Sequence, residues 1–176
     1  VDMTRAKRSP GSTLKPLIFG LAFDRGLAHP DTVFADRPTW FGRYAPQNFD
    51  GRFRGDVTAR VALSQSLNIA PVALTEALGP ERLMSALRAF GADPVLPGGR
   101  PGLAVALGGV GLSLEDLAGI YAGLAQLGKT VPVSDQRLEA HQSARVIASR
   151  AAWHVGDILR SIAPPAGAPG GLAYKT

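Results

Sequence analysis

Ser12 and Lys15 stand three residues apart, behind the pair Pro10-Gly11 and just ahead of Pro16. On a helix, residues at i and i+3 share a face, about 5–6 Å apart at Cβ. A serine hydroxyl is a weak nucleophile unaided, and a neighbouring neutral lysine can take its proton. The pair therefore has the make-up of a nucleophile and its base. Two later pieces carry complementary chemistry. Ser66-Leu67-Asn68 is a Ser-x-Asn in a chain with only two asparagines, and Lys175-Thr176 ends the chain. Acyl transfer to a serine needs a proton acceptor, a site for the developing oxyanion and a way to orient the acyl donor. Lys15 serves as acceptor if burial and nearby positive charge lower its pKa, and Lys175 is a source of that charge. Ser66 can bridge the lysines and pass a proton to the leaving group. Asn68 offers an amide to a substrate peptide bond. Lys175 and Thr176 offer charge and a hydroxyl to a terminal carboxylate. A helix start at Ser12 presents N–H groups to negative charge.

Each piece alone is weak. Ten serines and four lysines in 176 positions give about 0.2 chance occurrences of Ser-x-x-Lys. A capping serine followed by a solvated lysine explains one such match. A capped turn explains Ser-x-Asn, and an exposed strand end explains Lys-Thr. The three together, in this order, are much harder to attribute to accident.

The elements that must position these groups are mostly helical. Helical spacing of Leu17, Ile18, Leu21 and Ala22 predicts a helix from Ser12, capped by Ser12 and stopped at Gly26. Residues 27–55 show neither helical nor strand periodicity. A cap at Asp56 predicts a helix over 57–65. Residues 66–71 read as a junction, with helices following at 71–78 and 80–90. Pro80 suits a first turn and Gly91 an end. Leu103–Leu107 is an apolar run that periodicity does not assign. Ser113-Leu114-Glu115-Asp116 reads as a capping box opening a helix to about Leu127. Lys129–Val133 reads as extended, Ser149–Ile162 as an amphipathic helix, and Leu172–Thr176 as half of a strand. Strand signals occur only near the ends.

Composition sets broad limits. With 45% apolar and 19% charged residues the chain is an ordinary globular one. It has no cysteine, which excludes disulfides, thiol nucleophiles and thiolate metal sites. The net charge is +5, but the 15 arginines are scattered. A nucleic-acid binder clusters them on one face, so no nucleic-acid partner is expected. No run is long enough to span a bilayer, and no signal peptide is visible. The opening at Val1 and the ending at Thr176 read as those of a piece of a longer protein.

The three motifs and their flanks resemble the transpeptidase domain of class A penicillin-binding proteins, and in particular their 1C group. The resemblance is carried by Arg8-Ser9-Pro10-Gly11-Ser12-Thr13-Leu14-Lys15-Pro16 and by Phe41-Gly42-Arg43-Tyr44-Ala45-Pro46-Gln47-Asn48-Phe49-Asp50. It continues in Ala62-Leu63-Ser64-Gln65-Ser66-Leu67-Asn68, in Leu107-Gly108-Gly109-Val110-Gly111 and in Tyr121-Ala122-Gly123-Leu124-Ala125. It covers nearly the whole chain. It implies an α/β (α+β) penicillin-binding and serine β-lactamase-like fold, a sheet packed against a helical subdomain with the active site between them. This chain is then a single partial domain over 1–176, mostly the helical part and lacking some strands. The implied activity is D,D-transpeptidation of peptidoglycan stem peptides without a cofactor, and acylation by β-lactam antibiotics. The implied roles are Ser12 as nucleophile, Lys15 as proton acceptor, Ser66 as proton relay, Asn68 as substrate-orienting residue, and Lys175 and Thr176 as the carboxylate end. The family's third motif continues with a glycine and an oxyanion strand, whereas this chain ends at Thr176. The expectation therefore concerns the parent domain, and the isolated chain is expected to be impaired. The resemblance also implies an upstream glycosyltransferase module, a membrane anchor and residence at the periplasmic face. A D,D-carboxypeptidase, a β-lactamase of the same fold, and a non-catalytic penicillin-sensing domain stay open as alternatives.

Other signals point elsewhere and are weaker. Gly123–Thr130 fits a phosphate-loop pattern letter for letter, but that loop needs a strand before it and a helix after it. Here a helix pattern precedes, and Gly128 reads as its C-cap. His29, His141 and His154 lack metal-ligand spacing. Asp24, Asp116 and Asp157 suggest no carboxylate dyad. Trp40, Phe41 and Tyr44 read as loop or core packing rather than cleft lining.

Overall fold

The computed structural model describes residues 3–132 and 143–163. Lys175, Thr176 and the strand expected at 172–176 lie outside the described residues, as does Val133. The fold is of the α/β class, with six α-helices and one small sheet among the described residues. Helix α1 spans Lys15–Asp24. It is apolar on every side, with Leu17, Ile18, Phe19, Leu21 and Ala22 all buried, which is the signature of a central helix. Around it pack α2 (Ala59–Ser64), α3 (Ile69–Leu78) and α6 (Ser149–Arg160). Helix α4 (Pro80–Ala89) packs on α3, and α5 (Leu114–Ala125) packs on α6. Among the described residues no helix is long and apolar enough to cross a membrane.

Local signals explain several boundaries. Pro80 opens α4, where no amide donor is needed. The α3–α4 junction therefore falls as expected, although α3 begins at Ile69 rather than at 71. The capping box is present: Ser113 accepts from the Asp116 N–H at 3.0 Å, and Asp116 accepts from the Ser113 N–H at 2.8 Å. Gly128, at φ +85°, donates back to the Gly123 carbonyl at 2.9 Å, so the phosphate-loop pattern lies on a helix end. Leu103–Leu107 forms a 3-10 turn.

Three expectations are corrected. Residues 27–55 are not without strands. Val33–Asp36 (β1) pairs antiparallel with Gly55–Thr58 (β2), in the register Val33 to Thr58 and Asp36 to Gly55. Thr58, not Asp56, caps α2, accepting from Val61 N–H at 3.3 Å. Asp56 is held in β2 opposite Ala35, where its side chain pairs with Arg37 at 2.7 Å. Ser12 does not cap a helix. It sits inside a 3-10 turn over Gly11–Leu14, and the α-helix begins only at Lys15. The Pro10 carbonyl accepts both the N–H (3.2 Å) and the hydroxyl (2.7 Å) of Thr13, which winds this turn more tightly than an α-helix.

Candidate active site

The first motif is built by its own turn. Gly11 adopts φ +53°, a region open to glycine at little cost. From there the 3-10 turn carries Ser12 outward and Lys15 inward. Pro16, at the second helical position, removes an amide that has no intrahelical partner there. Ser12 is exposed, and its hydroxyl makes no hydrogen bond among the described residues. Lys15 is only 1% exposed. Tyr121, from α5, donates its hydroxyl to the Thr13 carbonyl at 2.9 Å and pins the turn from outside.

The second motif is built by the end of α2. Leu67 N–H reaches back to the Ala62 carbonyl at 2.9 Å, and Ser66 N–H to Leu63 at 3.1 Å. This forces Ser66 into the left-handed region, at φ +56°, which costs a non-glycine residue roughly 1–2 kcal/mol. The strain has a use: both the carbonyl and the hydroxyl of Ser66 meet the Lys15 amine.

Lys15 Nζ donates to the Ser66 carbonyl at 2.5 Å, to Ser66 Oγ at 3.0 Å and to Asn68 Oδ1 at 2.6 Å. An ammonium has three donors, and all are used. No carboxylate forms an ion pair with it among the described residues. Burial pushes its pKa down to about 8. Lys15, Ser66 and Asn68 thus form one cluster. Ser12, Ser66 and Asn68 line a single cleft of about 460 Å³. Lys15 makes its hydrogen bonds to the second motif rather than to Ser12, so Ser66 stands closest to the lysine's protons.

The remaining cleft wall comes from the segment before β2. Phe49, Asp50 and Arg54 line it, and the last two form an ion pair at 2.7 Å. Phe49 is fully exposed at its edge, and Trp40 is exposed away from that lining. Phe41 and Tyr44 pack partly buried against the core, as expected. Arg54 belongs to this wall, whereas Arg52 does not line the cleft.

Two residues of this region were not singled out in the sequence for a role of their own. Asn48 is 6% and Asp36 1% exposed. Asn48 Oδ1 accepts from the Asn68 N–H at 2.8 Å, and Asn48 Nδ2 donates to Asp36 Oδ2 at 2.8 Å. Asn48 is one of only two asparagines in the chain, and the other is Asn68. That rarity was the available signal.

Asp24 and Asp157 have structural partners. Asp24 Oδ1 accepts from Ala148 N–H at the start of α6, and Asp157 pairs with Arg60 at 2.9 Å. His154 lies edge-on to His29, with ring centroids 5.2 Å apart, and burial and the His29 charge lower its pKa.

The family model of the penicillin binding protein transpeptidase domain matches residues 2–174. Penicillin-binding protein 1C of Escherichia coli K12 is 41% identical over 166 residues, which cover 94% of this chain and 22% of that protein. Penicillin-binding protein 1F of Bacillus subtilis 168 is 31% identical, over 97% of this chain and 26% of that protein. Penicillin-binding protein 1B of Vibrio cholerae is 33% identical, over 75% of this chain and 18% of that protein. The chain thus spans about a fifth to a quarter of these relatives. With a buried lysine joined to a Ser-x-Asn turn beside an exposed serine, and with a family match along almost its whole length, the chain belongs to the transpeptidase domain family of class A penicillin-binding proteins.

Proposed function

We propose that this chain is the core of a peptidoglycan D,D-transpeptidase acting through an acyl-Ser12 intermediate. The observation that carries this reading is the cluster of buried Lys15 with Ser66 and Asn68 in the cleft that Ser12 borders. Ser12 Oγ attacks the carbonyl carbon of the bond between the last two residues of a D-Ala-D-Ala stem. Its proton passes to neutral Lys15, directly or by way of Ser66 Oγ. When the tetrahedral intermediate collapses, the C–N bond breaks and Ser66 delivers a proton to the departing amine of D-Ala. The amine of a neighbouring stem then attacks the acyl carbon, and Ser12 regains its proton. Asn68 keeps a second amide hydrogen beyond the one it gives to the Gln47 carbonyl at 2.6 Å, and that hydrogen, without a partner among the described residues, can orient the donor peptide. Lys175 and Thr176 take the terminal carboxylate in this reading. β-Lactams acylate the same serine.

The names of the relatives support penicillin as a probe. An upstream glycosyltransferase module, a membrane anchor and action at the periplasmic face belong to the same proposal, since the relatives are several times longer than this chain.

Intact mass after incubation of the intact protein with a penicillin, followed by peptide mapping, tests the assignment. One adduct on the peptide carrying Ser12 is expected, and an adduct elsewhere or none on folded protein overturns it. Strand transfer from a stem pentapeptide to an added amine then separates transpeptidation from hydrolysis.

The lysine gives the reaction a pH signature. Lys15 must be neutral to accept a proton, and burial sets its pKa at about 8. Acylation rates are therefore expected to rise with pH, about tenfold per unit below that value, and to level off above it. A rate constant that stays flat from about pH 6 to 9 would remove Lys15 as the base.

A further inference from the structure

We propose that Asn48, oriented by the buried carboxylate of Asp36, is a positioning residue that fixes which way Asn68 faces in the cleft. The inference rests on the acyl-Ser12 reading and deepens it. Asp36 ends β1, and a carboxylate only accepts hydrogen bonds. The amide group that Asn48 turns toward it is therefore its NH2, which donates to Asp36 Oδ2 and to the Arg52 carbonyl, both at 2.8 Å. With both amide hydrogens committed there, Asn48 Oδ1 points the other way and accepts the backbone N–H of Asn68 at 2.8 Å. The preceding carbonyl, of Gln47, takes a hydrogen from Asn68 Nδ2. Residues 47 and 48 thus hold Asn68 by its backbone and by its amide nitrogen. The one group left to meet Lys15 is Asn68 Oδ1, and it does so at 2.6 Å.

Asp36 also holds the far end of the same loop. Its Oδ2 accepts the Arg54 N–H at 2.8 Å, while its Oδ1 has no partner among the described residues. One carboxylate thereby fixes both ends of the segment that brings Phe49, Asp50 and Arg54 to the cleft wall. A buried polar chain of this kind is favourable only when its members are satisfied together. Losing Asn48 frees Asn68 to turn, and the Lys15 ammonium then loses an acceptor. Among the described residues, Asp36 is linked to the ammonium only through Asn48 and Asn68, and Asp50 and Arg54 line the cleft wall.

The test uses the intact protein and a fluorescent penicillin. Asn48→Ala is expected to slow acylation by ~10²-fold, the scale of a displaced catalytic group. It is also expected to move the acid limb of the pH–rate profile to lower pH by about half a unit, because the ammonium has lost a stabilising hydrogen bond. In an Asn68→Ala background the same change is expected to add almost nothing, since Asn48 acts through Asn68. A purely structural role lowers the melting temperature and leaves the limb of the folded fraction in place. Wild-type protein acylated at Ser12, beside a folded Asn48→Ala with an unmoved limb and a rate within about threefold, overturns the positioning role alone. Wild-type protein that takes no label overturns the acyl-serine reading and this one with it. If Asn48→Ala does not fold, Asn48→Ser removes the same donors with less lost volume and is judged by the same limb.

Discussion

Replacing Lys15 with methionine is expected to slow acylation by ~10³-fold, within the range a positioned general base contributes, while leaving the domain folded. Methionine matches the length of the stem and removes only the amine. Two opposing effects of similar size keep the fold. Lys15 is held at 1% exposure with its pKa pushed from 10.5 to about 8, and at neutral pH this disfavours the folded state by about 3 kcal/mol. Methionine relieves that. It also strips the Ser66 carbonyl and Asn68 Oδ1 of a donor, at about 1–3 kcal/mol each, although water in the cleft can replace part of the loss. The melting temperature therefore moves by only a few degrees. The linkage has a definite sign. The folded pKa lies below the unfolded value, so between about pH 8 and 10.5 the unfolded chain binds more protons. Wild-type stability rises with pH across that window, and the methionine variant lacks this rise. Wild-type rates of acylation in Lys15→Met would rule out the lysine as the base.

The parts of this site that could be read from the sequence are those whose physics is local. Ser12 and Lys15 lie within one turn, and Ser66 and Asn68 within another, so residue type and spacing, taken over the motifs together, brought them forward as candidates. The capping box at Ser113 and the boundaries at Pro80 and Gly91 are local in the same way. The β1–β2 pair escaped notice because each strand has only four residues, and Val33 and Asp56 face solvent. Its partners are far apart in the chain, and no alternation marks them. Thr58 and Asp56 are both good caps, and cross-strand pairing of Asp56 decides between them. The 3-10 turn at Ser12 depends on Thr13 competing for the Pro10 carbonyl, which no periodicity reports. Asp36 and Asn48 act through hydrogen bonds spanning 12 and 20 residues. Their segment has no repeat to flag them, and only folding reveals that the carboxylate faces an amide.

Gly108→Ala is expected to destabilise the domain by about 3–5 kcal/mol, the size reserved for changes that strain the backbone and overpack at once, and to slow acylation of the folded fraction. Gly108 follows the 3-10 turn over Leu103–Leu107 and adopts φ +97°, where a side chain is already strained. A Cβ there would lie 2.5 Å from Gly11 N, 2.6 Å from Gly11 Cα and 2.6 Å from Ser9 Oγ. Two of these are backbone atoms that cannot swing aside. Ser9 Oγ has no freedom either, since it donates to the Gly108 carbonyl at 2.7 Å and accepts from Gly11 N–H. Gly11 immediately precedes Ser12, so any relief of the clash shifts the serine itself. A displacement of about 1 Å at a reacting group can slow a reaction ~10²-fold. Gly91→Ala is the internal control. Gly91 has a similar φ of +90° but nothing within 4 Å of its added Cβ. It is expected to lower stability by about 1 kcal/mol, the cost of a side chain at positive φ, and to leave acylation alone. Thermal melts and penicillin labelling of the two variants separate conformational strain from close approach. If Gly108→Ala melts and labels like Gly91→Ala, the contact between residues 108 and 11 does not hold the turn that carries Ser12, and among the described residues Ser12 owes its position to Tyr121 and the Pro10–Thr13 bonds.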